Sequence, residues 1–481
     1  MKSAAYPAHA ERTLLNRRRF LRGVFSLAAL PLLTACGFFS KPVPQQPTPT
    51  PTPPPPTPTV TPTRAAVRID TTVPPSAVST VSGTPRATPT TNPALRSTGQ
   101  LLYTGALGGV GGIILADLAS DKRTLLTAGN YQYLTWAPDG IRFAAIGAPT
   151  AEVPIRQIAI FAADGRALAR FSLPISPTIY PPLLWSPNSR ALVYQVVDPV
   201  AGGLDAWIVD EEGQRPLTLP PDAYIWRWTP GGRLAYVTML ARNGPPSEQF
   251  PATFWTLEPQ GGRPQQEASG AFYPVDVSPD GATVYAVAGF RSPGAASSRA
   301  GGVTTLLALD LVRGTSRTLL DLNAVAAGET AWLANVAAAP MSGLLAICRA
   351  SIPVAAQQNT IGVINEVLIV DAAGQEVGRD QPWRDEFNRP RLDWSPHGLH
   401  LAYQAPGPGG AELRILYRGL DRYAYPARID PRTGLLLTWS SDDRWLAYVD
   451  AVGGLTIAAA GEERAYPFAA DGNYPAWRPR P

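Results

Sequence analysis

The stretch "LTWAPDGIRFAAI", residues 134–146, decides the fold, because its pattern of an apolar run, a turn and a second apolar run returns along the chain. Pro presets φ near −65°, Asp bonds its own backbone and Gly accepts positive φ, so "PDG" suits a tight turn between two strands. Related stretches begin at residues 183, 226, 392 and 437: "LLWSPNSRALVYQ", "WRWTPGGRLAYVT", "LDWSPHGLHLAYQ" and "LTWSSDDRWLAYV". The repetition predicts one β-rich unit copied many times.

Each copy can be aligned on the residue two positions before the turn's proline or its equivalent, which we call the motif residue. Successive motif residues are separated by 49, 43, 49, 61, 56, 45 and 38 positions: Trp136, Trp185, Trp228, Val277, Ala338, Trp394, Trp439 and Trp477. A period in the forties is the size of one four-stranded propeller blade. We expect the tryptophans among them to pack between neighbouring blades.

The two ends of the repeat region predict how the stack of blades is completed. Residues 100–127 contain three β-rich runs but no Trp-turn strand, whereas "NYPAWRPRP" at residues 473–481 supplies only such a first strand. Together the two segments make one blade. A closed ring pairs them in one sheet, whereas an open stack of blades leaves two strand edges unpaired. The sequence therefore predicts an all-β propeller of eight four-stranded blades in residues 99–481. Seven blades is the alternative, since the Ala338 unit is degenerate.

The phrase W-S-P-D-G followed by an L-A-Y strand resembles the TolB-type, WD40-like β-propeller repeat of bacterial envelope proteins. The resemblance extends over residues 100–481 and depends on repetition, because any single copy is a weak match. Two departures stand out: Val277 and Ala338 replace Trp, and Asp follows Pro only at Asp139 and Asp280. The resemblance implies a propeller that works in the bacterial envelope.

Residues 1–36 have the composition of an export signal. Six of the 41 basic residues but only one of the 37 acidic residues lie in positions 1–35, so the rest of the chain carries −1 and the overall +4 does not indicate a nucleic-acid partner. The apolar run Val24 to Leu33 is too short to span a bilayer of about 30 Å. "RRRFLR" before it resembles the bacterial twin-arginine export motif, with Arg17, Arg18, Phe20 and Leu21 at the motif positions.

A cysteine ends this segment. "LTAC", residues 33–36, resembles the lipobox of bacterial lipoproteins, which implies that Cys36 is lipidated and becomes the mature N-terminus. Acyl chains contribute about 0.8 kcal/mol per buried CH₂ and can hold a soluble domain at a membrane without a helix. Residues 37–98 follow, with 11 prolines among the 21 residues from Pro42 to Pro62, and predict a disordered, extended spacer.

The sequence contains no recognisable catalytic constellation. No Gly-x-Ser-x-Gly motif occurs, and His397 and His400 have no obvious further metal ligands beside them. We expect Cys348 to be a buried strand thiol and the turn residues Asp442 and Asp443 to be hydrated. We therefore predict no bound metal, no cofactor and no enzymatic activity.

Two sets of surface residues are candidates for binding. In a propeller, the loops from second to third strands emerge on one face, and the longest are expected at 241–253, 291–302 and 350–366, with Asp321 to Asn335 beside them. Aromatic residues at a concave mouth also suit peptide or sugar binding. We predict a binding face made of Tyr133, Tyr180, Trp226, Arg227, Tyr273, Phe387, Arg389, Arg391, Asp393 and Tyr474.

These features favour a monomeric, exported propeller, anchored by lipid to the outer side of the cytoplasmic membrane or in the cell envelope, that binds a protein or peptide. Membrane contact is expected through the anchor alone. Two alternatives stay open: an enzyme of the lactonase or dehydrogenase type acting on a small molecule in the central channel, and a non-catalytic assembly scaffold. A stoichiometric metal ion favours the enzyme, and a flat channel mouth favours the scaffold.

Overall fold

The computed structural model describes residues 99–149, 156–173, 183–197, 204–210, 212–220, 223–239, 251–259, 262–289, 303–322, 329–353, 363–385, 390–407, 410–417, 421–425, 437–450, 454–462 and 464–480. These residues form strands and turns, and none of them forms an α-helix. The predictions for the signal, the lipidated Cys36 and the spacer lie outside the described part of the chain.

The first half of the domain starts with three strands and continues with three full blades. The three strands are β1 (Gln100–Leu107), β2 (Val110–Asp117) and β3 (Lys122–Ala128). Blade 1 contains β4 (Tyr131–Trp136), β5 (Arg142–Gly147), β6 (Gln157–Ala162) and β7 (Ala167–Ser172). Blade 2 contains β8 (Leu184–Trp185), β9 (Leu192–Val197), β10 (Leu204–Asp210) and β11 (Gly213–Leu217). Blade 3 contains β12 (Ala223–Trp228), β13 (Leu234–Met239), β14 (Ala252–Leu257) and β15 (Gln265–Gly270).

The second half adds four more blades and a last single strand. Blade 4 contains β16 (Phe272–Val277), β17 (Thr283–Ala288), β18 (Thr305–Asp310) and β19 (Thr315–Asp321). Blade 5 contains β20 (Glu329–Ala338), β21 (Leu345–Pro353), β22 (Val363–Val370), β23 (Glu376–Arg379) and β24 (Trp383–Asp385). Blade 6 contains β25 (Leu392–Trp394), β26 (His400–Gly407), β27 (Gly410–Tyr417) and β28 (Asp421–Tyr425). Blade 7 contains β29 (Leu437–Trp439), β30 (Trp445–Val449), β31 (Leu455–Ala459) and β32 (Ala465–Ala469), and β33 is Asn473–Trp477.

The described strands form eight antiparallel sheets, in each of which the strand that carries the motif residue lies at one end. The eighth sheet has the order β3-β2-β1-β33, so the end of the chain and the start of the domain share blade 8. Leu101 pairs with Trp477 and Leu102 with Ala476. The prediction of eight blades closed by the two termini is confirmed, and the seven-blade alternative is wrong.

Blade 5 differs from its neighbours at its outer edge. Its outer position is shared by β23 and β24, which pair with successive parts of β22. Between them, the buried Asp380 accepts hydrogen bonds from Tyr403 and Arg414 of blade 6. The break in the outer strand therefore places a carboxylate in the seam between the two blades.

The predicted clustering of long loops requires a correction. The 350–366 loop is wrong as predicted, because β21 extends to Pro353 and β22 begins at Val363, leaving nine residues, 354–362. The corresponding connection in blade 1, residues 148–156, is equally long. Strand β20 likewise occupies part of the predicted segment Asp321 to Asn335. The clustering thus remains only for blades 3 and 4, and nearly all residues of those two connections lie outside the described ranges.

The core lies between blades, because each sheet has two faces to bury. One cluster joins Leu102 and Ile113 of blade 8 to Phe143 and Phe161 of blade 1, and similar clusters fill the other seams. The tyrosines of the L-A-Y strands are fully buried there: Tyr194, Tyr236, Tyr403 and Tyr448. The alternating pattern that follows each turn is therefore a set of inter-blade contacts.

Candidate binding site at the channel mouth

In a propeller, the first strand of every blade lines the central channel. Here the pairing of these first strands is interrupted by β-bulges: between Gln132 and Thr135, between Ile225 and Arg227, between Pro274 and Asp276, between Leu333 and Asn335, and in β33 opposite Leu102 and Thr104. A bulge leaves a residue unpaired and redirects the side chains around it. Tyr133, Trp226 and Tyr474 of the predicted binding face lie at three of these bulges.

Tyr133 and Tyr474 form a strained aromatic pair. Their φ angles are 55° and 47°, and their ring centroids lie 5.2 Å apart at an interplanar angle of 52°. A left-handed conformation costs a residue with a Cβ atom roughly 1–2 kcal/mol. The other described non-glycine residues with positive φ are turn residues with polar side chains: Asp121, Ser189 and Asp443. Backbone strain of this kind clusters at functional sites, so this pair is the strongest indication of a binding site.

The phenol of Tyr474 remains protonated at neutral pH. Burial raises the pKa of Tyr474 above its usual value of 10.0, the neighbouring Tyr133 raises it further, and Arg156 acts in the opposite direction. Tyr133 is 41% exposed and is the more accessible of the two rings. The pair therefore offers an open aromatic face on Tyr133 together with the neutral hydroxyl of Tyr474, which can donate and accept hydrogen bonds.

An ion pair joins blades 3 and 4 at neighbouring first strands. The guanidinium of Arg227 bonds to Oδ1 of Asp276 and lies 5.8 Å from the ring centre of Trp226. The same carboxylate accepts the amide of Val277 at 2.9 Å through Oδ1 and the amide of Ala338 at 2.7 Å through Oδ2. Because the Arg227 side chain is 41% exposed and that of Asp276 17%, the cation is the part of this group that a ligand can reach.

A second ion pair lies on blade 6. The Nε atom of Arg391 is 2.8 Å from Oδ2 of Asp393. Burial raises the pKa of Asp393 above its usual value, and Arg391 partly offsets this effect. Arg391 and Asp393, like Arg227 and Asp276, carry opposite charges, so these four residues contribute no net charge to the channel wall.

The remaining predicted residues divide into two groups. Trp226 packs edge-on against Phe254 at 5.6 Å, and Tyr273 lies half-buried against the apolar cluster between blades 4 and 5, so both also contribute to blade packing. Tyr180, Phe387 and Arg389 lie outside the described residues. The structure thus brings together Tyr133 with Tyr474, and Arg227 with Trp226, and places Arg391 with Asp393.

How the motif tryptophans join the blades is visible only in the structure. At five seams the indole N–H donates to the carbonyl of the residue before the motif residue of the preceding blade, an interaction we call the indole link. The links, at 3.0–3.3 Å, are Trp136 to Ala476, Trp185 to Thr135, Trp228 to Leu184, Trp394 to Ala337, and Trp439 to Asp393. Within the described residues, the indole nitrogen of Trp477 has no such partner.

The seams between blades 3 and 4 and between blades 4 and 5 cannot form this link, because Val277 and Ala338 have no side-chain donor. The corresponding carbonyls belong to Arg227 and Asp276. Across these two seams, the Arg227 guanidinium, the Asp276 carboxylate and the Ala338 amide make a continuous polar connection, which we call the polar relay. It replaces two missing indoles with hydrogen bonds from three successive blades.

The motif turns lie on the opposite face of the ring, which we call the turn face. Four residues after the motif residue, Ser189 and Asp443 adopt φ of 61° where glycine stands in other copies. Asp443 is 2% exposed and accepts the amide of His397 at 3.1 Å, and its Oδ2 lies 3.0 Å from the His397 Nδ1 atom. The expectation of a hydrated Asp443 is therefore wrong: it joins blades 6 and 7. His400 stacks on Trp439 at 5.8 Å, and burial lowers its pKa while Asp443 raises it.

A cavity of about 210 Å³ lies between blades 2 and 3 on the turn face, beside Arg190 and Trp228. Its most buried ionic group, Asp210, is already paired with Arg215 at 2.6 Å. We place the candidate site at the mouth instead, because the strained tyrosines lie there, and Arg227 is exposed further along the same channel wall, toward the turn face. In the described ranges, no three His, Cys, Asp or Glu residues are grouped in a way that could hold a metal ion, and no helix could cross a membrane.

No protein-family model matches the sequence, and no curated protein sequence matches it either. Solved propellers are similar in structure. TolB from Acinetobacter baumannii is 13% identical with a TM-score of 0.33, over 79% of this chain and 67% of TolB. An oligogalacturonate lyase from Vibrio parahaemolyticus is 13% identical with a TM-score of 0.45, over 73% and 94% of the two chains.

A third similar structure is prolyl oligopeptidase B from Galerina marginata. It is 10% identical with a TM-score of 0.44, and the match covers 75% of this chain but only 54% of the peptidase. These similar structures thus include enzymes with different substrates. At such identities the similarity concerns the propeller architecture and carries no information about ligand or activity.

Proposed function

We propose that this protein is a lipid-anchored propeller of the bacterial envelope that binds a protein or peptide at its channel mouth. The observation that carries the proposal is the pair of Tyr133 and Tyr474, two aromatic residues held in left-handed conformations against their intrinsic preference. A peptide offers side chains that stack on such rings and carbonyl groups that accept hydrogen bonds from phenols. The strain is explained if these rings must be presented to a ligand.

The charges along the channel wall support a ligand without a large net charge. The carboxylates of Asp276 and Asp393 are matched by Arg227 and Arg391, so these two ion pairs give no preference for a polyanion or a polycation. Opposite charges that are already paired act as oriented hydrogen-bonding groups rather than as a strong field. A segment of folded or extended polypeptide meets this requirement.

The point at which the leader joins the domain is compatible with anchoring. Nη1 of Arg478 donates to Oε1 of Gln100 at 2.6 Å, and its Nε donates to the carbonyl of Gly140 at 2.8 Å, so the domain begins at the turn face. Tyr133 and Tyr474 lie toward the opposite ends of their strands. A tether that joins the ring at the turn face leaves the mouth open to a partner.

Affinity capture from envelope extracts tests the binding proposal. The Tyr133→Asn and Tyr474→Asn double variant removes both rings but keeps a residue type that tolerates positive φ. We expect it to retain less than a tenth of the partner that the unmodified domain retains. Ile141→Asn is the matched control, because Ile141 is 62% exposed on the turn face, and it should bind normally. Equal capture by all three proteins would rule out the tyrosine pair as the binding site.

The proposed anchor and export signal have their own test. Cys36→Ser should move the exported protein from the membrane fraction to the soluble fraction, and a double Arg17→Lys, Arg18→Lys variant should not be exported at all. Membrane retention of the Cys36→Ser protein contradicts the lipid anchor. Metal analysis of the purified protein addresses the enzyme alternative, which a stoichiometric ion would favour.

A further inference from the structure

The ring of indole links is incomplete at three of its eight seams: the seam of Trp477 stands alone, and the other two are adjacent and form a gap next to the predicted binding residues Trp226 and Arg227. At five seams a carbonyl on the inner edge of a first strand accepts an indole N–H from the next blade. By the equivalence of the repeats, the corresponding acceptors are the carbonyls of Arg227 and Asp276, opposite Val277 and Ala338, whose side chains have no donor. These two acceptors are consecutive, so the gap is one continuous part of the channel wall.

The strands that carry these acceptors have an edge without a partner strand. Strands β12 and β16 are each the end strand of their sheet. The indole links show that the carbonyl before a motif residue points away from its own sheet, toward this inner edge. In blades 3 and 4 the inner edge therefore presents main-chain acceptors that the fold itself does not occupy with an indole.

Arg227 adds donors at the same place. A guanidinium carries five N–H donors, and the polar relay uses the Nη1 side of Arg227 for Asp276. The side chain is 41% exposed, so a ligand can reach it. Donors and acceptors thus lie side by side on adjacent first strands.

We propose that the inner edges of blades 3 and 4 bind the main chain of an extended peptide. The peptide donates N–H groups to the carbonyls of Arg227 and Asp276, and one of its carbonyls accepts from the Arg227 guanidinium. Main-chain recognition by a free strand edge gives affinity without demanding a particular sequence. The inference rests on the proposed function and specifies which chemical groups of the peptide are recognised.

The probe is a fluorescein-labelled Thr-Ala-Thr-Ala-Thr-Ala amide, which is uncharged apart from its label and extended, measured by fluorescence polarisation. The same peptide N-methylated at alternate residues keeps its side chains but loses half of its N–H donors. We expect the first peptide to bind and the second to bind at least tenfold more weakly. Equal binding of the two peptides would overturn the inference, and so would no binding of either.

Two variants locate the contact. Val277→Trp supplies the missing indole to the Arg227 carbonyl, and Arg227→Met removes the guanidinium without requiring a larger side chain to fit the seam. Each should weaken binding of the first peptide at least tenfold. Val377→Trp, on the exposed outer strand of blade 5, is the matched control and should bind normally. Unchanged binding by the Arg227→Met protein, or by a folded Val277→Trp protein, contradicts the assignment.

The outcome can be separated from that of the proposed function. Capture of an envelope partner that depends on Tyr133 and Tyr474, together with no binding of the hexapeptide, leaves the proposed function standing and removes this inference. Maltohexaose serves as a competitor. Displacement of the peptide by this neutral sugar at comparable concentration would show that the edge recognises hydroxyl groups, and the inference would then be wrong.

Discussion

Removing the carboxylate of Asp276 should weaken two blade seams at once. In Asp276→Ala, the amide of Ala338 loses an ionised acceptor at 2.7 Å, and the amide of Val277 loses one at 2.9 Å. A hydrogen bond to a charged group contributes about 1.5–3 kcal/mol to the free energy of unfolding. The bond to Val277 is local and partly replaceable by water, so we expect a total loss of about 2–4 kcal/mol.

The Arg227 side of the relay should contribute less. Its side chain is 41% exposed, and an ion pair in that setting is typically worth about 0–1 kcal/mol after solvent screening and side-chain ordering. Arg227→Met should therefore destabilise the protein by about 1 kcal/mol or less. Asp276 should therefore contribute more to stability than Arg227, because it bonds the backbone of the next blade.

Urea denaturation followed by tryptophan fluorescence measures both effects, as a lower midpoint at unchanged slope. Asp280→Ala is the matched control, since Asp280 bonds Ser278 and the Ala282 amide within its own turn and blade and should cost only about 1 kcal/mol. If Arg227→Met destabilises as much as Asp276→Ala, the ion pair and not the backbone bond holds the seam. If Asp276→Ala costs no more than Asp280→Ala, the polar relay does not replace the indole links.

Three further predictions concern stability. Trp136→Phe should lower the free energy of unfolding about 1 kcal/mol more than Trp477→Phe, because only the first loses an indole link; equal losses would contradict the link. The Tyr133→Gly protein should be about 1 kcal/mol more stable than the Tyr133→Ala protein, since both lose the ring but only glycine adopts the positive φ without strain. The reverse order of stability in urea titrations would show that the backbone of Tyr133 is not strained. The unfolded state takes up a proton at His400 before the folded state does, because burial lowers the folded pKa below 6.5. The free energy of unfolding should therefore fall as the pH drops through 6.5, and His400→Phe should make it less dependent on pH between pH 5 and 7. If the pH dependence is the same in the variant, groups other than His400 cause it.

The architecture could be predicted from the sequence because its signal is repeated. Each Trp-turn copy is weak, but eight spaced copies define the blade, and the incomplete units near Leu101 and Trp477 define the closure. The split outer edge of blade 5 could not be predicted, since outer strands carry no motif. The length of the loop after Pro353 was misjudged for a related reason: β21 continues beyond the alternating pattern.

The candidate site was only partly accessible to the same reasoning. Alignment of the repeats places Arg227 and Asp276 in one column, directly before the motif residue of consecutive blades, so their contact had a signal in the sequence that was not used. The left-handed conformations of Tyr133 and Tyr474 have no signal in the sequence, because both positions carry bulky residues rather than glycine. Such backbone choices depend on the bulges, which are set by packing around the whole ring.

The two positions where the repeat loses its tryptophan are the most informative part of the ring. A buried indole that also donates a hydrogen bond stabilises a seam more than a valine or alanine does. It adds apolar contact, and it gives a main-chain carbonyl a hydrogen-bond donor. Blades 4 and 5 instead use Asp276, whose charge requires Arg227 beside it, and the arginine remains accessible from the channel. A ring selected for stability alone has no reason to exchange two indoles for an exposed ion pair on adjacent blades. The exchange is understandable if that stretch of the channel wall must keep its donors and acceptors available to a ligand.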